Sequence, residues 1–98
     1  MLFALTYIAR NVTEKNEKRS LSLFTNWRPP AGYEFKSHYA FGDGTGGVAI
    51  VEASSSAAIL EAHSPWGPFL EFRIVPVVEI EKAVPIFQQV NAWRDSIQ

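Results

Sequence analysis

Apolar residues recur along this chain in two rhythms, and their alternation lays out the fold. Met1 to Ile8 is short, apolar and aromatic, as a central strand should be. Asn11 or Thr13 can cap the helix that follows, and Asn11 with Glu14 has capping-box spacing. Glu14 to Lys18 is polar, and then Leu21, Leu23, Phe24 and Trp27 supply an apolar stripe at helical spacing. Arg28-Pro29-Pro30-Ala31-Gly32 ends that helix, because prolines cannot continue it. Tyr33 to Phe41 alternates with the period of a strand. Gly42 to Gly47 reads as a tight hairpin turn, and Val48 to Ala53 as the returning strand. Ser54 to Ser56 caps a short helix, Ala57 to His63, which Pro65-Trp66-Gly67-Pro68 breaks. Phe69 to Val78 is a fourth strand, with Pro76 near its end suggesting a sheet edge. A last helix begins near Ile80 to Pro85 and is tolerable if Pro85 falls in its first turn.

The order βαββαβ, with one added helix, predicts an α+β fold: a four-stranded antiparallel sheet of ferredoxin-like type with helices on one face. Strict alternation then assigns the strand residues to two faces. Phe3, Leu5, Tyr7, Phe35, Tyr39, Ala49, Val51, Leu70, Phe72 and Ile74 are expected to pack on the helices. The opposite face collects Leu2, Ala4, Thr6, Ile8, Glu34, Lys36, His38, Val48, Ile50, Glu52, Phe69, Glu71, Arg73 and Val75. That second set is too greasy for water and too charged for a core. It fits a surface that a second subunit covers, with Lys36 and Arg73 expected to pair with Glu52 and Glu71 so that no charge is buried alone.

Composition sharpens this reading by exclusion. The 98 residues are one domain's worth, 47% of them hydrophobic, which argues against disorder. The net charge is −1 and the basic residues are dispersed, so no nucleic-acid footprint is present. There is no cysteine, which excludes thiolate catalysis and disulfides. The apolar start lacks a basic n-region and a long h-region, and no run is long enough for a membrane span. A cytoplasmic protein without a membrane or nucleic-acid partner is expected. Asn11-Val12-Thr13 matches a glycosylation sequon, which carries little weight without a secretory signal.

His38 is the candidate catalytic residue. As the one histidine expected on the helix-free face it can serve as a general base, or it is a structural hydrogen-bonder in an interface. A slip of one residue in register would turn it to the core side. Thr6, Lys36, Glu52, Glu71 and Arg73 are candidate ligand-binding neighbours, with Glu52, Glu71 and Arg73 equally readable as interface ion pairs. Trp66, between two prolines, is placed at a pocket mouth. Trp27 and Trp93 are either cleft walls or filler. His63, at a helix end, would suit the C-terminal dipole as a cation. The two histidines have no metal-ligand spacing, so neither a metal nor a cofactor is expected. The glycine-rich turn lacks the Gly-Lys-Ser/Thr ending of a phosphate loop and leads into a strand.

Several stretches together resemble a small bacterial domain family of unknown function. They are Trp27-Arg28-Pro29-Pro30-Ala31-Gly32, the run from Gly42-Asp43-Gly44 to Val51-Glu52, and the closing stretch from Phe72 through Ile80-Glu81-Lys82-Ala83-Val84-Pro85 to Trp93-Arg94-Asp95-Ser96. Such proteins are similar to the dimeric α+β barrel superfamily, whose subunits pack sheet to sheet. The resemblance implies a homodimer and carries over no catalytic residue, since that superfamily hosts both enzymes and binders. Two functions are therefore expected in competition. One is a small-molecule-binding or interaction module with a cavity between the two sheets. The other is a cofactor-independent monooxygenase or isomerase acting on an aromatic or polyketide-like substrate, with His38 as base and Lys36 or Arg73 stabilising the anion formed. A dimer with a filled core and no pocket is the remaining outcome.

Overall fold

The structure is a computed structural model that describes residues 1–98. In chain order the elements are β1 (Leu2–Ala9), α1 (Glu14–Asn26), β2 (Tyr33–Ala40), β3 (Gly46–Ala53), α2 (Ser56–His63), β4 (Leu70–Pro76) and α3 (Ile80–Ser96), with a 3-10 turn at Ser64–Trp66. The strands form one antiparallel sheet in the order β2-β3-β1-β4. This is the ferredoxin-like arrangement with an added helix. Pro76 lies at the end of β4, an edge strand, where its missing N–H costs least.

Local chemistry sets the boundaries. Thr13 is the cap of α1: its Oγ1 accepts from the Asn16 backbone N–H at 3.0 Å. Asn11 does other work. It takes a left-handed conformation at φ 53, and its side-chain amide donates to the Pro68 carbonyl. Ser55 caps α2 by accepting from Ala58. The hairpin turn is tighter than the glycine run suggested, since β3 already begins at Gly46. Asp43 accepts from the backbone and hydroxyl of Thr45 in that turn, which holds its carboxyl below the usual range. Gly44, at φ 77, supplies the left-handed residue the turn needs.

The core lies between the sheet and α2. Phe3, Leu5, Tyr33, Ala49, Val51 and Ala53 from the strands meet Ile59 and Ala62 of α2. Val51 and Leu5 are almost wholly enclosed, each contributing about 1.5–3 kcal/mol through burial. The other two helices behave differently. No residue of α1 is buried, so its apolar stripe stands off the sheet. No residue of α3 is buried either, and only Ala83 is even half covered. Pro85 lies in the second turn of α3, not the first as expected. It leaves the Glu81 carbonyl without its usual i+4 donor.

One irregularity decides which residues face the helices. β2 and β3 pair Phe35 with Val51, then Ser37 with Ile50, so Lys36 is an extra residue in a bulge. Beyond it the alternation is reversed. His38 sits opposite Ala49, on the helix side, and Tyr39 sits opposite Val48 on the open side, 67% exposed. The sequence-based placement of both residues is therefore corrected.

A candidate aromatic cavity under helix α1

The gap between α1 and the sheet is a cavity of about 290 Å³. Its walls are ten hydrophobic residues of thirteen, and none of the thirteen is Asp, Glu, Lys or Arg. The sheet floor gives Leu5, Tyr7, Phe35, His38, Leu70 and Phe72. Leu21 and Phe24 hang from α1, Trp27 follows it, and His63 and Trp66 close the far side. Trp66 is buried, and its indole N–H donates to the Ser20 carbonyl at 3.3 Å, tying α1 to the 3-10 turn. The rings brace one another edge to face: Trp27 on Trp66 with centroids 5.3 Å apart, and Phe24 on Trp66 at 6.1 Å.

Two histidines bring the polarity. The His38 ring stacks on Phe35 with centroids 4.6 Å apart and planes 8° from parallel. Its Nε2 shares a 2.6 Å hydrogen bond with the Tyr7 hydroxyl. Burial pushes the His38 pKa down and the Tyr7 pKa up, so both stay neutral near pH 7. His63 packs against Phe72 at 4.6 Å and shares a 3.0 Å hydrogen bond with the Tyr33 hydroxyl. Burial lowers the His63 pKa to about 4 and raises that of Tyr33. His63 is thus a neutral wall residue, which corrects the reading of it as a cation on the helix dipole. In each histidine Nδ1 has no protein partner.

The strands place Tyr7 because Gly47 leaves room for it. A Cβ on Gly47 would clash with the Tyr7 ring and hydroxyl, so glycine lets the phenol lie flat across β3 toward His38. Only its place inside β3 marks the close approach, since Gly47 reads as the end of the hairpin turn in the sequence. Tyr7, Phe24, Phe35 and His63 were not singled out there as site residues.

The remaining candidates are divided from His38 by the sheet. Thr6 pairs with Val48 and Arg73, and Glu52 with Leu2 and Glu34, all on the helix-free side. Glu71 lies opposite Ile8 on that side too. The expected ion pairs of Lys36 and Arg73 with Glu52 and Glu71 do not form within the chain. Lys36 instead meets Glu34 at 3.4 Å, and Glu52 takes the N-terminal ammonium of Met1. Of the seven candidates only His38 and Trp66 share the cavity. Trp27 also lines it, whereas Trp93 is exposed on α3.

A ferredoxin-like α+β fold with an uncharged aromatic cavity is thus the class of structure this sequence builds. Residues 1–91 match the family described as a domain of unknown function, DUF3303, and the chain belongs to that family. No curated protein matches the chain. No helix is long and apolar enough to cross a membrane.

Proposed function

We propose that this protein is a small-molecule-binding module whose ligand lies in the cavity beneath α1. The observation that carries this reading is the cavity's lining: aromatic walls, no charged side chain, and two neutral imidazoles with unpaired nitrogens. Such walls suit a flat, uncharged, mostly apolar molecule bearing one or two hydroxyl or carbonyl groups for the histidines. At about 290 Å³ the space is at the small end of ligand sites. This cavity belongs to a single chain. The space expected between two sheets needs a second copy and lies on the other side of β1 and β3. The mixed polar and apolar character of the helix-free face still supports a homodimer through that face.

The test is thermal shift with 2-naphthol as the probe, on the native chain and on Leu21→Trp, in which indole fills the cavity from α1. The native Tm should rise by about 2 °C or more at saturating probe, and the variant should not respond. An equal response in both, or none in the native chain, contradicts the reading.

A second reading is favoured by the 2.6 Å Tyr7–His38 hydrogen bond inside the cavity. A neutral histidine joined to a phenol can accept a proton from a bound hydroxyaromatic substrate, as a cofactor-independent monooxygenase or isomerase requires. Lys36 and Arg73 are across the sheet from His38 and cannot steady the resulting anion in the same chain. Oxygen uptake with quinols, abolished in His38→Ala, would support this reading, and no turnover by the native chain would remove it.

A further inference from the structure

We infer that α3 is an exchange arm, seated in the helix-free trough of a second copy of this chain. The inference deepens the dimer reading given above by naming what covers that face. A compact folded chain of 11.0 kDa exposes about 5,600 Å², whereas this one exposes 7357 Å². Its radius of gyration is 17.6 Å, against about 12.6 Å for a compact domain of its length. The excess surface, about 1,700 Å² per chain, is roughly twice what each partner loses in a standard interface and falls in the range of obligate dimers.

The arm contributes to that excess, since every residue of α3 except Ala83 is exposed. Val84, Phe87, Val90 and Trp93 recur at helical spacing within α3, and they and Ile97, just past its end, are all exposed. A helix of this length with a proline in its second turn and no packing partner is marginal in water. It needs a surface to lie on, and the chain supplies one. On the helix-free face the two inner strands present Leu2, Ala4, Thr6, Ile8, Val48 and Ile50, with Glu52 opposite Leu2 at one end. The edge strands flank them with Glu34 and Lys36 on one side and Glu71 and Arg73 on the other.

The result is a mostly apolar trough two strands wide, with Glu52 at one end of its floor and charged residues on its banks. Two strand spacings span about 10 Å, the width of a helix with its side chains. The length of β1, about 26 Å, matches the length of α3, about 25 Å. The banks carry both signs, and so do the ends of the arm, with Glu81 and Lys82 at one end and Arg94 and Asp95 at the other. A two-fold exchange seats both arms and covers both troughs at once, which an unrelated partner would not do.

The chain has no cysteine, so Gln89→Cys puts a single spin label on the arm. Labelled chains are mixed with isotope-enriched native chains by joint unfolding and refolding, and the NMR spectrum of the native copy is recorded beside its mass by light scattering. The expected result is a mass of about 22 kDa, twice that of the chain, with broadening of the Ala4, Thr6 and Ile50 amides. The pair Phe87→Asp and Trp93→Asp should weaken self-association by about a hundredfold and shift the Ala4, Thr6 and Ile50 amides, while the cross-strand contacts that show a folded sheet persist. A mass of about 22 kDa without broadening at the trough overturns the arm and leaves the sheet-face dimer standing. A mass of 11.0 kDa overturns both. Neither outcome touches the cavity under α1, which lies within one chain.

Discussion

Replacing His63 by glutamine should remove a pH dependence that the fold imposes. In the native chain burial lowers the His63 pKa from 6.5 to about 4. The folded state therefore keeps the ring neutral in a window where the unfolded chain takes up a proton. The sign follows: this contribution to stability is complete above about pH 6.5 and is lost as pH falls toward about 4. At about 1.4 kcal/mol per pH unit the gap sets an upper bound of about 3.4 kcal/mol. His63 is only partly enclosed, and solvent screening reduces the expected loss to about 1–2 kcal/mol. His63→Gln keeps an amide that can bond the Tyr33 hydroxyl but has nothing to titrate. Urea unfolding followed by tryptophan fluorescence at about pH 7 and about pH 4.5 gives the two differences. His38 and Asp43 remain in both proteins, so their acid responses cancel in the comparison. The native chain should lose about 1–2 kcal/mol more than the variant over that range. Equal losses, or a His63 that titrates by NMR near 6.5, would refute the burial argument.

Other residues offer independent checks. Gly47→Ala should cost about 2–3 kcal/mol in urea unfolding and shift the Tyr7 and His38 ring resonances, because its methyl displaces the phenol. Trp66→Ala should cost about 3–5 kcal/mol and loosen α1, seen as faster hydrogen exchange at Ser20 to Phe24, since the indole both packs and holds the Ser20 carbonyl. Thr13→Ala should cost about 1 kcal/mol through the lost α1 cap. Deleting Lys36 removes the residue with no partner on β3, so the nuclear Overhauser contacts between His38 and Tyr7 should survive; their loss would contradict the bulge assignment.

Much of the architecture was legible in the sequence because turns and caps are local. The paired prolines after Trp27, the Ser54 to Ser56 cluster and Pro76 at the edge each left a chemical mark, and the βαββαβ order followed from them. The face of His38 was not legible. Tyr33, Phe35, Tyr39 and Phe41 share alternate positions with only Ser37 polar among them, and that pattern is satisfied by a straight strand. The bulge at Lys36 swaps the last half of β2 for reasons of pairing with β3, a non-local cause that leaves an exposed tyrosine behind. With His38 on the wrong side, the cavity was sought on the wrong side too. The stripe on α1 was read correctly as apolar, but periodicity cannot tell a helix that seals a core from one that stands off it. The place of α3 depends on surfaces beyond its own segment, and its spacing alone says only that one side is apolar.

The most direct measurement is an amide and aromatic NMR titration of the native chain with 2-naphthol. The account requires shifts that cluster at Phe24, His38, His63 and Trp66, saturate together, and spare Thr6, Val48 and Arg73 across the sheet. Shifts centred on those three, or none that saturate, would contradict a ligand site beneath α1.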